Sequence, residues 1–129
     1  MKREYHDNGN LKSEFNYQNN FKYGLNKEWH ENSQLWKEHN YGERGMFEGR
    51  QREWYENGQL KSETNWKDGK LNGEVLSFDE NGVLRLKRNL KNNKPHGITQ
   101  EWNEDGTLRR VLEYDCGKLI KATNHNFTK

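Results

Sequence analysis

The sequence predicts an all-β protein, an elongated antiparallel meander of about five β-hairpin repeats of 24–25 residues. Three observations carry that prediction. A turn dipeptide recurs as Asn8-Gly9, Asn32-Ser33, Asn57-Gly58, Asn81-Gly82 and Asp105-Gly106, at intervals of 24 or 25 residues. Three residues before each turn stands an aromatic residue, and three residues after its Asn or Asp stands a leucine. Each of the first four intervals closes on a glycine: Gly24, Gly49, Gly73 and Gly97. Asn-Gly and Asp-Gly between short runs with aromatic residues mark tight hairpins, because glycine takes positive φ without a Cβ clash. A fixed period of this size means that each unit is one supersecondary element and that units stack.

The units follow in order. Residues 1–24 open on the polar Met1-Lys2-Arg3 and supply Tyr5, Leu11 and Tyr17 to the predicted core columns. Residues 25–49 supply Trp29, Leu35 and Tyr41; here Ser33 replaces the turn glycine, and Trp36 stands where other units carry Lys or Arg. The one extra residue of this unit falls near Gly42-Glu43-Arg44, in its second turn, where an insertion disturbs least. Residues 50–73 are the most regular unit, with Trp54, Leu60 and Trp66. Residues 74–97 carry Phe78, Leu84 and Leu90, and hold the only proline, Pro95, in the second turn, where a missing N–H does no harm. Residues 98–121 carry Trp102, Leu108 and Tyr114 and lack the closing glycine. A tail, residues 122–129, follows, and Leu119, Ile120 and Phe127 are expected to cap the last aromatic layer.

Loop length sets the expected faces. A three-residue loop Glu56-Asn57-Gly58 with Gly58 in the left-handed region pairs Trp54 with Leu60 and Glu53 with Lys61. The same count gives Glu4–Lys12 and Glu101–Arg109. Opposite charges across strands contribute a few tenths of a kcal/mol, at the low end of roughly 0.2–1 kcal/mol for cross-strand pairs. One face should then carry the Trp, Leu and Tyr columns. The other should carry Glu14, Glu38 and Glu63 with Asn16, Asn40, Asn65 and Asn89.

The pattern aromatic-x-x-Asn-Gly-x-Leu-Lys-x-Glu-x-x-aromatic-x-x-Gly-Lys-x-x-Gly, seen whole in residues 54–73, resembles the MORN repeat in the bacterial variant found in YwqK-type antitoxins. The resemblance spans nearly the whole chain. It implies one β-hairpin per repeat laid side by side, and an immunity or antitoxin function.

Composition bounds the rest. Hydrophobic content of 29% and a mean hydropathy of −1.50 would by themselves point to disorder. The apolar residues are large and fixed in register, however. Burying one aromatic side chain contributes roughly 4–6 kcal/mol gross. Ordering a 24-residue unit costs on the order of 25–50 kcal/mol. A lone unit therefore cannot fold, and its neighbours must supply strand pairing and aromatic contact. With no apolar segment after Met1 and no apolar run long enough to span a bilayer, neither a secretion signal nor a membrane span is expected. The single Cys116 rules out an intramolecular disulfide and fits a reducing, cytoplasmic setting.

No enzyme is predicted. The recurring carboxylates form columns of a solvated face, and the glycines close hairpins without forming a phosphate loop. His6, His30, His39, His96 and His125 lack Cys or Asp neighbours at zinc spacing, so neither metal nor cofactor is expected. Two departures from the repeat are candidate partner contacts. One is Trp36 with His30 and Tyr55, assigned to the charged face as interface anchors. The other is the basic group Arg85, Lys87, Arg88, Lys91, Lys94, Arg109 and Arg110, suited to an acidic partner. The reading favoured is a non-catalytic module that neutralises a cognate protein toxin. The alternatives are a MORN-type scaffold contacting membrane or a second copy, and nucleic-acid binding through the basic half. A net charge of +2 makes the last the weaker. The oligomeric state is left open.

Overall fold

The computed structural model describes residues 1–125, so Phe127 and the end of the tail lie outside the described residues. The first two units form β1 (Lys2–Tyr5), β2 (Leu11–Phe15), β3 (Tyr17–Gln18), β4 (Phe21–Lys22), β5 (Gly24–Trp29) and β6 (Leu35–Tyr41). A 3₁₀ turn follows over Glu43–Gly45, then β7 (Gly49–Trp54), β8 (Leu60–Lys67), β9 (Lys70–Leu71) and β10 (Gly73–Phe78). The last elements are β11 (Leu84–Lys91), β12 (Lys94–Pro95), β13 (Gly97–Trp102), β14 (Leu108–Asp115) and β15 (Lys118–Asn124). Among the described residues, all but β3 and β4, which pair with each other, belong to one 13-stranded antiparallel sheet: eleven strands run in the order β1-β2-β5-β6-β7-β8-β10-β11-β13-β14-β15, while β9 pairs with β8 and β12 with β11 beside that path. Spatial order is chain order, so the protein is one long meander. Strand β15 reaches past the predicted end of the fifth unit and leaves Leu119 and Ile120 about half exposed along the sheet edge.

Two kinds of turn alternate. At the first, the Gly58 N–H donates to the Tyr55 carbonyl (3.0 Å) and Asn57 Oδ1 accepts from the Gln59 N–H (2.9 Å). Gly58 takes φ +88°, the left-handed conformation that its missing Cβ permits. In the second unit Ser33 occupies this position at φ +72°, held by the bond from its N–H to the His30 carbonyl (3.0 Å). At the second kind, successive positive-φ residues (Asn19-Asn20, Asp68-Gly69, Asn92-Asn93, Cys116-Gly117) make two-residue turns of the type whose twist matches paired strands.

The register departs from the loop count in every unit. Trp54 lies opposite Leu60, but Glu53 lies opposite Ser62, which leaves Lys61 as an extra residue in β8. Lys12, Trp36, Arg85 and Arg109 are the equivalent extra residues. Such a bulge places two residues against one and reverses the facing of everything beyond it. The expected pairs Glu4–Lys12, Glu53–Lys61 and Glu101–Arg109 are thus replaced by Arg3–Glu14 (2.9 Å), Arg52–Glu63 (3.4 Å) and Glu101–Arg110 (2.7 Å). The single apolar face splits as well. Trp66 lies opposite Gly49, five positions along β7 from Trp54, and an odd separation along a strand means opposite faces. The Trp and Leu columns therefore share a face with Glu63 and Asn65. The Tyr41, Trp66, Leu90 and Tyr114 column takes the other.

A sheet with apolar residues on both faces and, among the described residues, nothing laid over either has no closed core. Among the described residues Leu90 alone is a buried hydrophobic side chain, at 6% exposure. Tyr5 and Tyr17, in the first unit, are 61% and 50% exposed. Hydrogen bonding at the seams between units takes up part of the burden. Each hairpin is long, yet β6 meets β7 only at Lys37–Glu53 and Glu38–Arg52. Side chains carry the ladder further. Asn16, Asn40 and Asn65 donate through Nδ2 to the carbonyls of Leu25, Arg50 and Glu74 at 2.8, 2.7 and 2.9 Å. Buried Gln51 both accepts from the Asn40 N–H (2.6 Å) and donates to the Asn40 carbonyl (2.8 Å). At about 0.5–1.5 kcal/mol net for each such bond, these asparagine and glutamine contacts reconcile a stable sheet with a very polar sequence.

Candidate functional site

All first turns lie along one long edge of the sheet and all second turns along the other. The three anchors expected from sequence come together at the first-turn edge. His30 and Trp36 rings are 5.4 Å apart, and Trp36, His30, Tyr55, Trp54 and Lys61 line one depression. The bulge brings Trp36 beside Trp54, whereas residue parity had set them on opposite faces. All three anchors are half-buried.

Two of them are tied down. His30 Nε2 donates to the Trp54 carbonyl (2.9 Å) and the Tyr55 hydroxyl to the Phe78 carbonyl (2.7 Å). His6 Nε2 makes the same bond to the Trp29 carbonyl (2.8 Å). A carbonyl can only accept, so these imidazoles carry their proton on Nε2. In the fourth unit the column residue is Asp79, which has no proton to give. There Arg85 reaches across from the bulge and donates through Nε to the Trp102 carbonyl (2.8 Å), with Asp79 Oδ2 3.6 Å from its Nη1. His30, Tyr55 and Arg85 thus do one job, linking each unit to the aromatic residue of the next.

The rest of the basic group divides. Lys87 Nζ lies 3.5 Å from Glu74, and Arg110 pairs with Glu101. No ion pair to Arg88, Lys91, Lys94 or Arg109 occurs among the described residues. Lys91 and Lys94 flank the second turn of the fourth unit.

A second aromatic cluster, absent from the sequence-based expectations, occupies the second-turn edge of units one to three. Phe21, Tyr23 and Met46 are 47%, 42% and 41% exposed. Phe21 and Tyr23 share a depression with Glu43 and Arg44; Tyr23 and Met46 share the next with Glu48 and Asp68. A Cβ on Gly45 would stand 3.3 Å from Phe21 Cδ1, and one on Gly69 3.2 Å from Met46 Sδ. Beneath, rings run on through His39–Phe47 (5.0 Å), Tyr41–Phe47 (5.1 Å) and Phe47–Trp66 (5.1 Å). The residue inserted in the second unit shapes this strip. It converts a two-residue turn into the Glu43–Gly45 3₁₀ turn, with Arg44 at φ +62°, and swings Met46 outward. The signal available in the sequence was the crowding of aromatic residues outside the repeat columns around that insertion.

Burial holds the His39 imidazole below its ordinary pKa, with the Glu53 carboxylate pulling the other way. As pH falls through about 6.5 the unfolded chain takes up a proton that the folded chain resists. Stability from this group is therefore complete above that pH and declines below it until the lowered folded pKa is reached. Urea unfolding of wild type and His39→Gln at several pH values should show the variant losing less stability on acidification. Parallel losses would contradict the assignment.

A family model described as MORN repeat variant matches residues 2–19, 22–42, 47–68, 71–92 and 95–115. The gap between the second and third matched segments brackets the irregular Glu43–Gly45 turn. Comparisons with curated proteins and with solved structures returned no match.

Proposed function

The chain belongs to the MORN repeat variant family, a family of non-enzymatic repeats that bind protein or membrane, and from that premise we propose that it is a protein-binding antitoxin or immunity protein. It neutralises a toxin by covering it with one edge and face of the sheet. The observation that carries this reading is the exposed strip Phe21, Tyr23 and Met46, flanked along the same edge by the exposed Lys91 and Lys94, which form no ion pair among the described residues. Exposed aromatic and Met side chains are what a protein interface uses as anchors. Unpaired cations alongside them suit an acidic partner and quicken its approach. The described residues contain no helix long and apolar enough to cross a membrane.

The test is rescue. The chain is co-expressed with toxic open reading frames from its own genome, and growth is scored. Restored growth with one of them, together with a direct complex between the two purified proteins, supports the proposal. Liposome binding without any rescue would favour the membrane-contacting scaffold, and affinity for bare nucleic acid that falls steeply with salt would favour the nucleic-acid reading. One observation favours assembly with a second copy: the outer edge of β15 is unpaired among the described residues and carries Ile120 at 54% exposure. Light scattering at rising concentration separates that scaffold reading from a monomeric antitoxin.

A further inference from the structure

We propose that His96, Asp115 and Cys116 form a binding site for a divalent metal ion of the zinc class, with the fourth coordination position open to water or to a donor from a partner. One ligand atom from each residue lies within 4.8 Å of the other two. Cys116 Sγ is 3.7 Å from His96 Nδ1, and that nitrogen is 3.8 Å from Asp115 Oδ1. A tetrahedral zinc ion with bonds of about 2.0–2.3 Å has ligand–ligand edges of roughly 3.3–3.7 Å. Small side-chain rotations close the difference. The lone pair of His96 Nδ1 already points into the cluster, where it accepts the Cys116 N–H at 3.1 Å.

The repeat supplies an independent comparison. Asp115 stands where the third and fourth units have Lys67 and Lys91, Cys116 where they have Asp68 and Asn92, and His96 where the third has Asn72. Three departures from the repeat converge on one point. Cys116 also adopts φ +46° at a turn position that the first, third and fourth units give to Asn19, Asp68 and Asn92, residue types that tolerate it best. The bond from the Gly117 N–H to the Pro95 carbonyl (2.7 Å) holds the two turns together without any ion. No spacing motif shows the site in the sequence, because its ligands come from neighbouring units.

Thiolate, imidazole and carboxylate together suit zinc better than magnesium or calcium, which take oxygen ligands. Binding displaces the thiol proton to solvent, so affinity rises with pH. The side chains of His96 and Asp115 are 44% and 71% exposed, which leaves the ion an open path in and a place for an outside ligand.

The test uses cobalt(II) as a spectroscopic probe and zinc chloride as the titrant. One equivalent of cobalt should give a thiolate-to-metal charge-transfer band, and zinc should abolish it and slow alkylation of Cys116 by iodoacetamide. Cys116→Ser and His96→Gln should each weaken zinc binding by roughly tenfold or more, since even supporting residues of metal sites cost 10–100-fold. The cobalt spectrum of the unaltered chain reports thiolate ligation even if a variant folds poorly. Absence of that band, or zinc affinity unchanged in Cys116→Ser, would overturn the site.

Discussion

Trp54→Ala is expected to lower the unfolding free energy by about 3 kcal/mol, at the foot of the range for deleting a large aromatic side chain from a closed core. The reduction from a full core value follows from the architecture: Trp54 is half-buried in an uncovered sheet. What is lost on truncation is its part of the wall of the depression it shares with Trp36 and His30, between the second and third units. That seam is thin in backbone pairing, so side-chain contact carries much of the coupling between units. Glu53→Ala provides the comparison. Glu53 lies opposite Ser62 and makes no ion pair among the described residues, so its loss should cost less than about 1 kcal/mol. Chemical denaturation of both variants decides the matter. Equal losses would mean that Trp54 does not join the second and third units.

If the second-turn edge is the proposed partner surface, Phe21→Ala and Tyr23→Ala should each weaken partner binding by about thirtyfold, equivalent to about 2 kcal/mol at an anchor residue, and leave the melting temperature nearly unchanged. Both side chains already meet solvent in the free chain, so truncation removes little that folding had gained. On binding they lose their water, and their area then counts. Trp36→Ala should show the reverse, early unfolding with near-normal binding. Its ring is half-buried against His30 and lies at the opposite edge of the sheet. Binding kinetics and thermal unfolding on the same three variants separate the two edges.

The meander was legible in the sequence because each unit repeats its turn signal, its aromatic and its leucine at a fixed interval. Repetition turns weak local evidence into a strong statement about the whole. The facing of residues beyond each turn was not legible. Counting from Gly58 places Lys61 opposite Glu53, and nothing about a lysine announces a bulge. The same position is Trp36 in one unit and Arg85 in another, and the structure explains why both looked anomalous. Trp36 lines the depression beside its neighbour's tryptophan, and Arg85 replaces a hydrogen bond that Asp79 cannot make. The asparagine columns were visible in the sequence, but not as seam bonds, since their partners are main-chain carbonyls that carry no residue signature. Phe21, Tyr23 and Met46 fall outside every column, and only the folded second turn brings them together.

The central claim, that the second-turn edge of the first three units receives the proposed protein partner, is tested most directly by hydrogen–deuterium exchange of the chain alone and saturated with the protein that the rescue assay identifies. Backbone amides of residues 17–25 and 41–48 should become strongly protected in the complex, with lesser protection near Lys91 and Lys94. The first turns around Asn32 and Asn57 should exchange as before. Protection centred on those first turns and on Trp36, with residues 17–25 unchanged, would contradict the account.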